Sequence, residues 1–318
     1  MKKFSSLSIA LVLLLLVGCN ESANEKSSRF LLNTVVSLDI ECDKDTLAEA
    51  FSLCEDYENL LSKTKPESDV AKLNGASAPL KISDDTKLLI ERSIYYGDLS
   101  NGKFDITLCP VIDLWDFEGT SLPDRKEIAE ALKNVDYHSV KIDGDLVDTG
   151  GKQIDLGGIA KGYIADRLLD FFKEKGVKSG IINLGGNVIV FGEKEYTVGI
   201  KKPFGENELS ETLLIKNKTA VTSGVYERYI EKDGKIYHHI LDPKTGYPVE
   251  TDLFSATVIG DSSLDCDALA TVCILSGLEK SKEIIESLKN TEAVFIDKNR
   301  NVTYTSGLKK ENGVLIIK

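Results

Sequence analysis

Histidine, tryptophan and positive charge are all scarce in this chain. Three histidines and one tryptophan occur among 318 residues, and 39 Lys and Arg residues stand against 51 Asp and Glu residues, giving a formal net charge of −12. There is no basic cluster, which argues against nucleic acid and anionic lipid as partners. The six cysteines form no CxxC pair and none lies at ligand spacing from a histidine. A Cys/His zinc site is therefore not expected, although one disulfide is possible.

Long apolar runs are confined to the N-terminus. Lysines occupy positions 2 and 3, an apolar run covers 7–17, and Gly18-Cys19 completes a pattern typical of bacterial lipoprotein signal peptides. We expect residues 1–19 to be the signal peptide with lipidation of Cys19, 20–28 a polar tether and 29–318 the globular domain. An uncleaved anchor is the alternative. Either way, the domain is expected to be membrane-anchored on the extracytoplasmic face of the bacterial cytoplasmic membrane.

The rest of the chain mixes helix and strand patterns. Alternating and β-branched residues predict one strand over 30–40 and two strands flanking Gly185-Gly186. Helical spacing of apolar residues predicts helices over 46–62, 84–99, 125–132, 263–275 and 279–288. Further strands are predicted over 141–156 (a hairpin), 196–200, 211–215, 219–223, 227–231, 235–240, 255–260, 293–296, 302–305 and 314–317. Strict βαβ alternation is absent, and a strand rather than a helix follows Gly185-Gly186, so the fold class is α+β and not a Rossmann fold.

The segment IDLGGIAKGYIAD, residues 154–166, has the form of an anion site. Its pattern predicts the end of a strand, a glycine turn and the start of a helix, with Asp155 before the glycines and Lys161 after them. Gly157 and Gly158 carry no Cβ, so their backbone groups can approach a phosphate or metal, and the helix N-terminus adds unpaired N–H groups. Alternatively, Asp155 only caps the helix and Lys161 is solvated.

Two further segments carry oxygen and nitrogen ligands. In DCDALATVC, Asp267 and Thr271 share one face of a predicted helix and suit Mg²⁺ bound to substrate phosphates, although Asp267 can also act only as a partner of the helix dipole. In YHHILDPKTGYP, His238 and His239 point to opposite faces of a strand, so at most one faces a given site. The alternative is a structural histidine beside a tight turn. In VTSGVYERY, Thr222-Ser223-Gly224 either presents hydroxyl groups to a ligand or only makes a turn, and a turn is expected.

The combination of segments is more specific than each alone. IDLGGIAKGYIAD, GKFDITLCP, INLGGN, VTSGVYERY, HHILDPKTGYP and DALAT closely resemble the ApbE family of FAD:protein FMN transferases. The resemblance implies a Mg²⁺-dependent extracytoplasmic enzyme that cleaves FAD, releases AMP and attaches FMN through a phosphoester to a threonine of an acceptor protein. The implied acceptors are subunits of Rnf-type and sodium-translocating quinone reductase complexes. The implied fold is a single T-fold-like domain with mixed antiparallel sheets and flanking helices.

The resemblance also implies roles for individual residues. Asp267, Thr271 and the carbonyl of Gly158 match metal ligands, and His239 matches the histidine placed near the flavin and pyrophosphate. The general base for the threonine stays open between His239 and Asp267, the latter only if the metal does not fully engage it. The residues that match FAD contacts are Leu32, Phe104, Asp105, Ile106, Asp155, Lys161, His239 and Ile240.

Two departures from the family pattern lie where the flavin ring is expected. Leu32-Asn33-Thr34 stands where the family has Met-Gly-Thr, and Thr64 stands where the family has an aromatic residue that stacks on the flavin. They affect the expected flavin affinity and the balance between transfer to protein and transfer to water. Two alternatives to the transferase stay open: a Mg²⁺-dependent pyrophosphatase that hydrolyses FAD to FMN and AMP, and a lipoprotein that binds flavin without turnover.

Overall fold

The structure is a computed structural model that describes residues 24–205 and 208–318. Within these ranges there are eight α-helices: α1 (Lys44–Leu61), α2 (Asp69–Asn74), α3 (Asp84–Leu99), α4 (Cys109–Ile112), α5 (Arg125–Ala131), α6 (Ala160–Glu174), α7 (Ser263–Ser276) and α8 (Leu278–Glu286). The same ranges contain seventeen strands: β1 (Asn24–Leu31), β2 (Thr34–Glu41), β3 (Leu80–Lys81), β4 (Lys141–Asp143), β5 (Leu146–Asp148), β6 (Gly180–Leu184), β7 (Asn187–Phe191), β8 (Tyr196–Lys201), β9 (Leu209–Ile215), β10 (Lys218–Gly224), β11 (Tyr229–Lys232), β12 (Lys235–His238), β13 (Leu253–Gly260), β14 (Glu292–Asp297), β15 (Val302–Tyr304), β16 (Leu308–Glu311) and β17 (Val314–Ile317). The expected signal peptide and Cys19 lie outside the described residues.

The largest sheet is antiparallel and carries helices on one face. Its eight strands lie in the order β1-β2-β6-β7-β10-β13-β14-β15. In β2, Val36, Leu38 and Ile40 are fully buried and alternate with more exposed residues, which turns one face of the sheet into the core. Helices α1, α6, α7 and α8 pack against strands of this sheet. Most residues of α7 are buried, so this helix lies at the centre of the helical layer.

A smaller sheet covers the opposite face. Its strand order is β16-β17-β9-β8, with only β17 and β9 parallel. Ile259 and Val294 of the large sheet pack against Leu213 and Leu315 of the small one, forming a second core. A third core surrounds Trp115. Helices, a large sheet and a small sheet form one layered α+β unit, as the sequence predicts.

Two expectations for the N-terminal part are wrong. Residues 30–40 form the hairpin β1–β2 rather than one strand, because Leu32 and Asn33 adopt φ angles of 56° and 54°, as a two-residue type I′ loop requires. Residues 24–28 of the expected tether pair with β2, so the folded domain includes them. An edge strand is held by backbone hydrogen bonds and needs no apolar face, so hydropathy alone does not reveal it.

The strand expected before the glycine motif is also absent. Ile154 is buried, but its N–H donates to Oδ1 of Asn74 (2.7 Å) and its carbonyl accepts from Nδ2 of Asn74 (2.9 Å). A side-chain amide thus supplies the hydrogen bonds that a neighbouring strand would supply. The strand predicted over 219–223 is confirmed as β10, which continues through Gly224, so Thr222-Ser223-Gly224 does not form the expected turn. Helices α2 and α4 and strands β3 and β16 were not predicted.

The cysteines and helices give two further results. All five cysteines in the described part of the chain are buried free thiols, so they form no disulfide there: Cys42, Cys54, Cys109, Cys266 and Cys273. No helix within 24–205 or 208–318 has the length and apolar character needed to cross a membrane.

Candidate active site

One large cavity brings the residues of interest together. Its volume is about 1050 Å³, and it is bounded by the β1–β2 turn, the glycine motif, the end of β10 and helix α7. All eleven residues that were assigned a metal, FAD or catalytic role line it: Leu32, Phe104, Asp105, Ile106, Asp155, Gly158, Lys161, His239, Ile240, Asp267 and Thr271. They come from segments spread over most of the chain, so the tertiary fold assembles the site.

The cavity carries more positive charge than the chain as a whole. Six cationic side chains line it: Lys63, Lys103, Lys161, Lys201, Lys202 and Arg228. Five carboxylates also line it: Glu58, Asp105, Asp155, Glu227 and Asp267. Because the whole chain has a formal net charge of −12, this lining reverses the overall balance and favours an anionic ligand.

Asp267 is fixed by reciprocal capping of two helices. It is 4% exposed, and its Oδ2 accepts a hydrogen bond from the N–H of Gly162 (2.8 Å) in the first turn of α6. In return, Asp166 of α6 accepts from the N–H groups of Ser263 (2.9 Å) and Leu264 (3.0 Å) at the start of α7. Asp267 therefore interacts with the dipole of α6 rather than with the dipole of α7, the helix that carries it. The two caps hold its carboxylate in place.

The oxygen atoms near Asp267 suit a hard cation. Oγ1 of Thr271, one turn later, lies 3.4 Å from the carbonyl of Asp267 and 3.3 Å from Oγ of Ser223. Gly158 lies against the ring of Phe104, and a Cβ there would be 3.1 Å from that ring. In the described part of the chain, no group of three or more His, Cys, Asp or Glu side chains could hold a metal. A carboxylate and a hydroxyl one turn apart on α7 are nevertheless ligand types that fit Mg²⁺, which keeps several waters and shares substrate phosphates.

Asp155 pairs with a lysine that the sequence did not single out. Its Oδ2 lies 2.8 Å from Nζ of Lys63, which also contacts Asp113, and its Oδ1 accepts from the N–H of Gly157 (2.7 Å). Burial alone would lower the pKa of Lys63, but Asp155 and Asp113 raise it overall, so the ammonium stays charged. Asp155 does not cap α6, whose N-cap is Ile159. No motif marks Lys63 within the polar segment after α1.

The Phe104–Ile106 segment is held against the glycine motif. The carboxylate of Asp105 accepts from the N–H (2.7 Å) and Oγ1 (2.6 Å) of Thr107 and from the N–H of Tyr137 (3.2 Å). Burial raises the pKa of Asp105. The carbonyl of Ile106 accepts from the N–H of Asp155 (2.8 Å), so the two segments form adjacent parts of the cavity wall.

Of the two adjacent histidines, only His239 lines the cavity. Its Nδ1 lies 3.2 Å from the carbonyl of Arg228, which can only accept, so Nδ1 carries the hydrogen and Nε2 keeps its lone pair. Burial and the charge of Arg228 lower the pKa of His239 to about 3, so the ring is neutral. His238 is buried, and burial lowers its pKa to about 4. The expectation that at most one of them faces the site is confirmed.

Glu227 is a second cavity residue that the sequence did not reveal. Its side chain is exposed to solvent within the cavity. Desolvation by the surrounding protein nevertheless raises the pKa of Glu227; the positive charge of Lys161 opposes this rise and the negative charge of Asp267 adds to it. The segment VTSGVYERY was noted for its hydroxyl groups, and nothing in its spacing indicates which charged residue faces inward.

Comparisons with known proteins agree with this architecture. The model of the ApbE family matches residues 32–295. An FAD:protein FMN transferase of Klebsiella pneumoniae (strain 342) is 37% identical over 289 residues, covering 88% of this chain and 91% of the relative. One of Treponema pallidum (strain Nichols) is 33% identical over 288 residues, covering 82% and 80%. The crystal structure of the ApbE protein of Thermotoga maritima superposes with a TM-score of 0.81 at 28% identity, covering 89% of this chain and 97% of that one.

The family match spans most of the chain, including every element around the cavity from the β1–β2 turn to β14. The sequence relatives and the solved structure agree with the layered architecture described above. The chain belongs to the ApbE family.

Proposed function

We propose that this protein is a Mg²⁺-dependent FAD:protein FMN transferase. It cleaves FAD at the pyrophosphate, releases AMP and joins FMN through a phosphoester to a threonine of an acceptor protein. The observation that carries the proposal is the gathering of eleven family-matched residues around one cation-rich cavity. The names of the relatives at 37% and 33% identity support the same activity.

The proposed metal ligands are Asp267, Thr271 and the carbonyl of Gly158. The Oδ2 atom of Asp267 accepts a hydrogen bond from Gly162, whereas Oδ1 accepts none from the described residues and is therefore the oxygen we assign to the cation. When bound, Mg²⁺ neutralises charge on the phosphates and on the departing AMP. Asp267 and Thr271 are both on α7, so their spacing does not depend on a flexible loop.

The cavity wall suggests how FAD lies in it. We place the adenine end beside Phe104, Asp105 and Ile106, which form a buried and rigid segment. The pyrophosphate would lie at the glycine motif and the first turn of α6, where Lys161 adds positive charge. The flavin end would then lie towards Leu32, His239 and Ile240.

The tautomer of His239 suits it to act as the general base. The threonine hydroxyl gives its proton to Nε2, its oxygen attacks the phosphorus of the FMN half, and the bond to the bridging oxygen breaks with its electron pair leaving on AMP. Asp267 is less free for this role because one of its oxygens is held by Gly162. Negative charge on the bound pyrophosphate would raise the pKa of His239 above its value of about 3 and so strengthen the base.

Hydrolysis of FAD is the second candidate function. Water would replace the threonine at the same phosphorus, giving FMN and AMP. Leu32 and Thr64 both line the cavity and neither has an aromatic face, so neither can hold the flavin by π-stacking while an acceptor arrives.

The proposed location follows from the N-terminal pattern. We propose that Cys19 carries a lipid and that the domain acts on the extracytoplasmic face of the cytoplasmic membrane. Acceptors there would be redox-complex subunits of the Rnf and sodium-translocating quinone reductase type. Labelling with a radioactive fatty acid, compared between the full chain and Cys19→Ala, would test the anchor, and equal labelling of both would contradict it.

The test of the activity uses the folded domain from residue 24, FAD, Mg²⁺ and such a subunit, with AMP release and acceptor mass read together. The transferase predicts AMP and an acceptor heavier by one FMN, and no mass change when the acceptor threonine is replaced by valine. AMP with an unchanged acceptor would favour the pyrophosphatase. Retained FAD without AMP would favour a flavin-binding lipoprotein and contradict both enzymes.

A further inference from the structure

Besides His239, four aromatic side chains line the cavity, and three of them already pack against other side chains. Phe104 is 6% exposed and packs on Gly158 and edge-on to Tyr96. Tyr57 meets Tyr163 edge to face at 5.7 Å. The third, Tyr226, meets Phe204 edge to face, with ring centroids 5.9 Å apart.

The fourth ring, Phe117, is held flat by a neighbour. Its ring is parallel to that of Trp115, with an interplanar angle of 5° and centroids 5.5 Å apart, which is an offset stack. Trp115 is itself fixed, because it is 6% exposed, donates from Nε1 to the carbonyl of Gly246 (3.0 Å) and meets Tyr247 edge-on. Stacking covers one face of Phe117, and the residue is only partly buried and lines the cavity.

Phe117 also lies beside the proposed base. Its ring is perpendicular to that of His239, with centroids 6.4 Å apart. A planar ligand ring on Phe117 would therefore lie beside His239. The ribityl chain would then lead from that ring towards the phosphorus at which the proposed base acts. The rings of Phe117 and Trp115 together form a rigid apolar platform, which costs little conformational entropy when a flat ligand binds.

We propose that Phe117, backed by Trp115, is the stacking platform for the isoalloxazine ring, an inference that rests on the proposed function. It supplies the π-face that Leu32 and Thr64 lack. The flavin end of FAD is then anchored at Phe117 and the adenine end at Phe104–Ile106, with the pyrophosphate between them. Phe117 is accordingly a residue that positions the substrate rather than one that moves a proton.

The test compares binding of FMN with binding of AMP, the two halves of the substrate, by titration calorimetry on the folded domain. Phe117→Leu should raise the Kd for FMN about tenfold and leave that for AMP within about twofold, since only the flavin half loses its stack. Phe117→Tyr keeps the ring face and should bind FMN like the wild type. Phe117→Trp places a strong fluorescence quencher against the flavin, so bound FMN should be dimmer than in the wild type.

Each result bears on the inference. Unchanged FMN affinity in Phe117→Leu, or unchanged brightness of FMN bound to Phe117→Trp, would overturn it. Equal loss of FMN and AMP affinity would show that the ring only supports the fold, and would overturn it as well. If the wild type released no AMP from FAD, the proposed function itself would fail and the inference with it, whereas wild-type AMP release with no selective effect in the variants would remove the platform alone.

Discussion

Replacing Gly162 by alanine tests whether helix packing sets the position of Asp267. Gly162 lies in the first turn of α6, where α7 crosses it. A Cβ added there would be 2.2 Å from the carbonyl oxygen of Ser263 and 2.7 Å from Cβ of Asp267. The nearest atom belongs to the backbone, so rotation of a side chain cannot relieve the overlap. The two helices must separate, and the 2.8 Å hydrogen bond from Gly162 to Asp267 must lengthen.

The expected magnitude combines three effects on the free energy of unfolding. Alanine in a helix interior normally stabilises by about 1 kcal/mol relative to glycine. Overpacking costs about 1–3 kcal/mol, and weakening a hydrogen bond to a charged group costs about 1.5–3 kcal/mol. We therefore expect Gly162→Ala to lose about 1.5–5 kcal/mol of stability. A shift of Asp267 by about 1 Å should also lower kcat/KM for AMP release about a hundredfold.

Urea unfolding and AMP release from FAD, both measured well below the melting temperature, would check these values. Gly75→Ala is the matched control, because Gly75 has φ −96° and a Cβ there would lie 3.6 Å from its nearest neighbour. That control should change neither quantity. A Gly162→Ala protein as stable and as active as the wild type would refute the idea that this contact positions Asp267.

Three further predictions concern charge. Asp267→Asn keeps an acceptor for the α6 cap but loses the negative charge. Stability should change by less than about 1 kcal/mol, whereas AMP release should fall about a hundredfold or more. Equal activity at saturating Mg²⁺ would contradict the metal assignment. Lys63→Met removes the partner of the glycine-motif carboxylate (Nζ to Oδ2, 2.8 Å), so the KM for FAD should rise about tenfold in steady-state assays, whereas Lys65→Met, outside the cavity, should leave it unchanged. The pKa of His238 is lowered from 6.5 to about 4, so between these values the unfolded chain binds a proton that the folded protein does not, and stability falls as pH falls. Urea unfolding at about pH 7.5 and about pH 5 should show a smaller loss for His238→Asn than for the wild type, and an equal loss would count against the burial of this ring.

The sequence predicted the elements that have one strong periodic signal. Helix α3 begins and ends where the pattern places it, at Asp84 and Leu99, because a serine N-cap precedes a regular apolar face. The N-terminal hairpin was missed because its turn uses Leu32 at positive φ, a conformation that leucine rarely adopts and that no propensity indicates. Ile154 was mistaken for a strand residue because burial and strand formation give the same apolar signal.

The candidate site was predicted in part because motifs mark only residues with a local pattern. Asp267 and Thr271 are one helical turn apart, and the glycines of 154–166 are adjacent, so their spacing is visible. Lys63, Glu227 and the stacked ring at 117 reach the cavity only through the tertiary fold, and no spacing connects them to the motifs. Reciprocal capping of α6 and α7 was likewise invisible, since it joins residues about a hundred positions apart.

The most direct test of the account is a crystal structure of the domain with FAD and Mn²⁺ as a stand-in for Mg²⁺, with the ion located by its anomalous scattering. The account predicts one ion about 2.1 Å from a carboxylate oxygen of Asp267 and close to Oγ1 of Thr271, in contact with the pyrophosphate. It also predicts the adenine beside Phe104 and the isoalloxazine on Phe117. An ion or a flavin bound outside this cavity would contradict the account.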